Sequence, residues 1–106
     1  MINNDGMGVA DRELRHLLIK TYLQLLISNQ TFPAAICFYA AGVKLVAADS
    51  HVLDELKQLQ DQGVYLISCL TCLEYYRLTE ELQVGIIGGM SDILEAQLRA
   101  SKIITL

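Results

Sequence analysis

The most informative segment of this sequence is Val64-Tyr65-Leu66-Ile67-Ser68, which is followed directly by Cys69-Leu70-Thr71-Cys72. Its first five residues are mainly apolar and lack a polar alternation. Such a run is typical of a strand that is buried on both faces, as in a parallel sheet covered by helices. The chain is then expected to turn into a helix, so the two cysteines should lie at the carboxyl edge of the sheet.

The segments on either side repeat the same strand and helix pattern. Ala34–Tyr39 is a second short apolar run and predicts another buried strand. Residues 11–28 carry apolar side chains at helical spacing. The predicted inner face of that helix, widened by Ile19 and Leu23, comprises Leu14, Leu17, Leu18, Tyr22, Leu25 and Leu26.

The rest of the chain predicts three helices and one closing strand. Residues 40–49 are interpreted as a loop or a short extended piece, and Ser50 as the N-cap of a helix that ends at Gly63. A short helix should begin near Cys72, followed by a glycine-rich stretch at 85–89. Ser91 is predicted to cap a last helix through about residue 99, and residues 102–106 to form a closing strand.

The order helix, strand, helix, strand, helix, strand predicts an α/β fold with right-handed crossovers and a mainly parallel sheet. Such a fold needs a strand before the first helix, and only Met1-Ile2-Asn3 is available for it. Either the first strand is very short, or the chain is a fragment cut within that strand. The 106 residues correspond to one domain, 1–106.

Charge and hydrophobic content argue against some classes of function for this chain. The net charge is −4 and the basic residues are scattered, which disfavours a nucleic-acid partner. The longest apolar stretch, residues 34–43, is far shorter than a membrane span, and the N-terminus has no signal-peptide pattern, so we expect a cytoplasmic protein. The hydrophobic content of 53% exceeds what so small a core can bury, which suggests a homo-oligomer.

Cys69-Leu70-Thr71-Cys72 carries the sharpest chemical signal, because reduced cysteines at a strand end are candidates for nucleophilic chemistry. A thiol at a helix N-terminus faces unpaired N–H groups, which can lower its pKa. Cys69 would then be the nucleophile and Cys72 the resolving or relay thiol. Three alternatives remain: two core cysteines, a thioredoxin-like redox pair (weakened because the only proline, Pro33, lies upstream) and a zinc site that lacks a second cysteine pair.

The other candidate residues give weaker signals. Cys37 lies within the first predicted strand and is interpreted as core. His16 and His51 are predicted to be solvated, and they could join a zinc site only if the fold brought them close. Gly6-Met7-Gly8 resembles the start of a dinucleotide-binding loop, but Asp11 stands where the third glycine belongs.

Several motifs together resemble the DsrE-like domain of the YedF selenium-metabolism proteins, over nearly the whole chain. The motifs are Asp5-Gly6-Met7-Gly8, Phe38-Tyr39, Gly42-Val43-Lys44-Leu45, Ser68-Cys69-Leu70-Thr71-Cys72-Leu73-Glu74-Tyr75-Tyr76, Val84-Gly85 and Met90. The resemblance implies a three-layer α/β/α sandwich that assembles into homo-oligomers. It also implies a sulfurtransferase-like sulfur or selenium carrier that holds sulfane sulfur as a cysteine persulfide, without a cofactor or a metal.

On this resemblance the reactive cysteine is Cys69, with Cys72 as its partner. The expected ligand-binding residues are Gly6, Met7, Gly8, Tyr39, Gly42 and Thr71. The expected partners are sulfur donor and acceptor proteins such as a TusA-like domain. The chain departs from the family pattern at Ala40-Ala41 and at Gly88-Gly89, where polar side chains are expected, and this puts substrate binding in question more than the fold.

Two other classes of function stay open at this point. The chain could be a non-catalytic module that oligomerises or binds a small ligand, with structural cysteines. It could also be a dithiol redox protein that forms a reversible Cys69–Cys72 disulfide.

Overall fold

The computed structural model describes residues 1–106 as a parallel sheet with helices on both sides. The helices are α1 (Arg12–Ser28), α2 (Leu53–Asp61), α3 (Leu70–Tyr75) and α4 (Met90–Arg99), and the strands are β1 (Ala35–Phe38), β2 (Tyr65–Cys69) and β3 (Ile86–Gly88). Two 3-10 helices, Ala40–Val46 and Thr79–Glu81, complete the regular structure. The predicted α/β class with a mainly parallel sheet is confirmed.

The three strands pair in the order β1-β2-β3. The strand β2, which was predicted from the apolar run at 64–68, therefore lies in the middle of the sheet. Phe38 pairs with Ser68, and Cys69 pairs with Gly88. The carboxyl ends of all three strands therefore meet at one edge. No strand precedes α1; in the place of the predicted first strand, Ile2 alone forms a parallel bridge with Phe38.

The closing strand predicted for residues 102–106 is wrong, because the third strand is formed within the glycine-rich stretch instead. Ile86 and Ile87 supply the strand there, where we predicted none. The C-terminal segment still runs beside the N-terminus. The Met1 amine donates to the Ile104 carbonyl (2.8 Å), and the Leu106 N–H donates to the Met1 carbonyl (3.0 Å).

The observed boundaries of α1 agree with the predicted ones, and those of the other helices differ from the prediction by a few residues. Residues 40–46 form a 3-10 helix instead of an extended piece or a loop. The last helix begins at Met90, so its N-cap is Gly89 and not the predicted Ser91, and the Gly89 N–H donates to Asp92 Oδ2 in the first turn (2.9 Å). Ser50 accepts a hydrogen bond from the Val52 N–H (3.2 Å), just ahead of α2.

Two buried clusters lie on opposite faces of the sheet, because side chains alternate along a strand. The larger has 15 buried residues, and α1, α2 and α3 all contribute to it. The smaller has three, namely Cys37, Cys69 and Ile93, and the last of these comes from α4. We call them the main core and the thiol cluster.

The predicted inner face of α1 is only partly correct. Ile19 and Leu23 are the buried residues of this helix, whereas Leu14, Leu17, Leu18 and Leu25 are all at least 40% exposed. Apolar residues occupy more than half of the helix circumference, so their spacing could not select the side that packs on the sheet. No helix of the structure combines the length and the apolar character that crossing a membrane requires.

Candidate functional site

The C-x-x-C segment lies where β2 passes directly into α3. Cys69 is the last residue of the strand and the N-cap of the helix, which begins at Leu70, two residues earlier than predicted. Cys69 makes no side-chain capping hydrogen bond, and the helix has only six residues. The N-terminus of α3 therefore makes no hydrogen bond to the Cys69 side chain, although the sequence led us to expect unpaired N–H groups facing this thiol.

The two thiols of the motif differ in their access to solvent. Cys69 is 1% exposed and belongs to the thiol cluster, beneath Ile93 of α4. Cys72 is partly exposed and packs against both the thiol cluster and the main core. The pair thus occupies the boundary of the two cores, with Cys72 on the outer side.

A backbone amide faces the outer thiol. The N–H of Ala40, which follows β1, donates to Cys72 Sγ over 3.1 Å. Burial raises the pKa of Cys72, interaction with Cys69 raises it further, and the hydrogen bond from Ala40 opposes both. The net effect is a pKa above the ordinary value of 9.0 for this thiol.

Cys37 is a third thiol of the same cluster, and sequence analysis interpreted it as core. That interpretation is confirmed, since Cys37 is 4% exposed and burial raises its pKa. Its contact with the site follows from the register: Cys37 pairs with Ile67, so it shares a sheet face with Cys69. Strand register cannot be read from either segment alone, which is why this neighbour was missed.

The predicted ligand-binding residues divide into two groups. Tyr39 packs against the thiol cluster, and its hydroxyl accepts a hydrogen bond from Asn3 Nδ2 (3.1 Å). Thr71 is exposed on α3, between the two cysteines. These two residues lie at the same edge as the thiols.

Two glycines of the predicted binding loops, Gly6 and Gly42, have packing roles, and the third, Gly8, has none. Gly6 passes so close to α1 that a Cβ there would come within 2.6 Å of Arg15 Cβ, and the Met7 N–H donates to the Arg15 carbonyl (3.0 Å). Gly42 abuts the Ile2 carbonyl, where a Cβ would collide with backbone. Gly8 is exposed in the left-handed region at φ +85.

The two departures from the family pattern both flank the thiols. Ala40 stands in the left-handed region, φ +49, which a residue other than glycine seldom adopts. Gly88 pairs with Cys69, and a Cβ on it would meet Ile67 Cγ2 at 2.9 Å and Asp92 Oδ2 at 3.1 Å. A larger side chain at position 88 would therefore require both neighbours to move.

His16 and His51 are not solvated as predicted. Their rings stack with centroids 4.1 Å apart, and His51 Nε2 lies 3.1 Å from the His16 carbonyl. His16 Nε2 is 3.5 Å from an oxygen of Asp5, whose other oxygen accepts from Arg15 (2.6 Å). No group of three or more His, Cys, Asp or Glu side chains in this structure has the arrangement of a metal site.

The parallel sheet is covered by helices on both faces, and two free cysteines lie at its carboxyl edge. These features place the chain among α/β proteins with a cysteine site. The model of the DsrE/DsrF-like family matches residues 19–106, most of the chain, and the chain belongs to that family. No curated protein matches it.

Two solved structures share this fold, and both are titled as proteins of unknown function. One is MTH1491 from Methanobacterium thermoautotrophicum, with 22% identity, a TM-score of 0.70 and coverage of 99% of this chain and 94% of its own. The other is BT1422 from Bacteroides thetaiotaomicron, with 19% identity, a TM-score of 0.68 and coverage of 99% and 91%. At these identities the likeness supports the fold alone.

Proposed function

We propose that this chain is a sulfurtransferase-like carrier that holds sulfane sulfur as a persulfide on the Cys69/Cys72 pair. The observation that carries the proposal is the position of the pair at the carboxyl end of the central strand, with a backbone N–H on the outer sulfur. Thiolate nucleophiles and hydrogen-bonded leaving groups are what sulfur transfer needs. Membership of the DsrE/DsrF-like family, whose members often serve in sulfur relay, supports it.

The finer resemblance to YedF-type proteins extends this proposal to partners and cargo. Sulfur or selenium would be delivered by one protein and taken up by another, with a TusA-like domain as the first candidate. No cofactor is required, because transfer between persulfides and thiols is a nucleophilic displacement. Tyr39 packs against the thiol cluster and Thr71 is exposed between the two cysteines, so these are the side chains that we expect to contact a partner.

We also propose that the chain forms homo-oligomers. The exposed leucines of α1 and the stripe Met90, Leu94 and Leu98 of α4 support this, because monomers rarely leave such apolar faces open. Light scattering on the purified protein tests it. A monomeric mass at micromolar concentration would refute the proposal.

The test of sulfur carriage is incubation of the reduced protein with glutathione persulfide, followed by intact mass and mapping of the alkylated peptides. We expect a gain of one sulfur atom on the peptide that contains both Cys69 and Cys72. Cys37→Ser is the matched control and should load normally, because Cys37 lies in the same cluster but inside a strand. A folded wild-type protein that gains no sulfur would reject carriage and favour a binding module.

The same samples test the redox alternative. A dithiol redox protein would form an intramolecular disulfide with mild oxidant and would lose it on reduction. Disulfide formation without any persulfide loading would replace the carrier proposal with that function.

A further inference from the structure

Resting on the proposed function, we infer that Cys72, and not Cys69, is the thiol that takes up the sulfur, and that the Ala40 N–H is the group that activates it. The first reason is access. A donor must place its outer sulfur directly against the attacking sulfur atom. Cys69 is covered by the thiol cluster at 1% exposure, whereas Cys72 opens to solvent.

The second reason is the hydrogen bond to the sulfur. The Ala40 N–H lies 3.1 Å from Cys72 Sγ, and a donor that bonds to a thiolate stabilises it over the thiol. Burial and the neighbouring Cys69 act in the opposite direction on Cys72. The Ala40 amide is thus the group that offsets them when negative charge develops on the sulfur during attack or departure.

The third reason is the backbone at Ala40 itself. Its φ of +49 is unfavourable for alanine, and the following turn holds it in place, because the Gly42 N–H donates to the Tyr39 carbonyl (2.9 Å). Left-handed residues other than glycine tend to cluster where function requires a particular direction of a backbone group. Here the unusual conformation coincides with an amide that donates to Cys72.

The transfer balances without any oxidant or reductant. Cys72 Sγ, as thiolate, attacks the outer sulfur of a donor persulfide; the sulfur–sulfur bond of the donor breaks, and the donor leaves as a thiolate with the electron pair. The proton lost by Cys72 is taken up by that leaving thiolate. In delivery, an acceptor thiolate attacks the outer sulfur on Cys72, and Cys72 departs as a thiolate bonded to the Ala40 amide.

The deciding experiment compares Cys69→Ser and Cys72→Ser in the loading assay with glutathione persulfide, each shown to be folded by its thermal transition. We expect Cys69→Ser to load and Cys72→Ser to lose loading by about tenfold or more. Loading by Cys72→Ser but not by Cys69→Ser would overturn the inference and leave the carrier proposal standing. Failure of the wild-type protein to load would instead reject the carrier proposal.

The contribution of the amide is tested separately, in a Cys37→Ser/Cys69→Ser background where only Cys72 can be alkylated. Ala40→Gly removes the Cβ that makes φ +49 unfavourable, so the conformation that aims the amide at Cys72 is favoured more strongly. We expect alkylation at neutral pH to become about two- to threefold faster and its pH profile to move to lower pH.

The matched control is Gln30→Gly, which relaxes an equally left-handed residue, φ +53, in the turn after α1. It should leave the pH profile unchanged. An unchanged profile in Ala40→Gly, or an equal shift in Gln30→Gly, would show that the Ala40 amide has no specific effect on Cys72.

Discussion

The two faces of the sheet are built differently. The main core fills one face with 15 buried residues, to which three helices contribute, whereas the thiol cluster on the other face has three and is covered by α4. Large, branched side chains dominate the first face, and two of the three residues on the second are cysteines. The comparison indicates that the first face contributes most of the stability, while the thinner face carries small cysteine side chains near the edge where β2 ends.

The largest expected effect is the loss of an aromatic side chain from the main core. Phe38→Ala should lower the free energy of unfolding by about 3–5 kcal/mol, because Phe38 is completely buried and its removal leaves a cavity. Ile93→Ala, in the thiol cluster, should cost about 2 kcal/mol, since fewer buried neighbours surround it. Urea unfolding measures both. Equal losses would mean that the two faces contribute equally to stability.

The next effect distinguishes packing from ligand binding at a predicted site residue. Gly42→Ala places a methyl group against the Ile2 carbonyl, so the backbone must move, and we expect a loss of about 1–3 kcal/mol. Gly89→Ala should cost only about 0.5–1 kcal/mol, because its nearest neighbour would be 3.7 Å away and the substitution loses only the preference for glycine at the N-cap. If thermal unfolding finds Gly42→Ala as harmless as Gly89→Ala, the packing role of Gly42 is wrong.

A third prediction concerns the stability of the fold in acid, which depends on the stacked rings of His16 and His51. Burial lowers the pKa of His51 below 6.5, so the unfolded chain binds the proton more readily and stability falls as the pH drops through that value. The hydrogen bond to the His16 carbonyl and the charge of Asp5 oppose this lowering of the pKa, whereas the charges of His16 and Lys20 add to it. Urea midpoints should therefore decrease from about pH 8 to about pH 5.

His51→Phe should flatten this dependence, because it keeps a stacked ring and removes the titrating group. Asp5 affects the stability in a lower pH range than His51 does. Burial acts to raise its pKa, but hydrogen bonds from Arg15 and His16 bring the pKa below 3.8, so its contribution is lost only under stronger acid. An unaltered slope between pH 8 and pH 5 in His51→Phe would assign the dependence to other groups.

The smallest effect tests a polar group inside the main-core face. Ser68 is fully buried and its hydroxyl has no hydrogen-bond partner, so Ser68→Ala should be neutral or stabilising by up to about 1 kcal/mol. The exposed Ser91→Ala provides the control and should stay within about 0.5 kcal/mol. A clear loss of stability in Ser68→Ala would reveal a hydrogen bond of Ser68 in solution.

Much of the architecture was predictable because local patterns report it. The runs at 34–39 and 64–68 predicted two buried strands, and the alternation of elements predicted a parallel sheet. The third strand was misplaced because three residues between glycines carry almost no periodic signal. The inner face of α1 was only partly predicted, because leucines surround the helix.

Local sequence patterns were sufficient to predict the α/β class, the central strand and the cysteine pair at its carboxyl end, since these depend on hydrophobic period and on neighbours along the chain. The three-dimensional fold was needed to show which thiol is covered, which amide reaches the other and which glycines pack against backbone. Those features depend on strand register and on contacts between residues such as Ala40 and Cys72, 32 positions apart. Distances of that kind arise from packing, which no local pattern encodes.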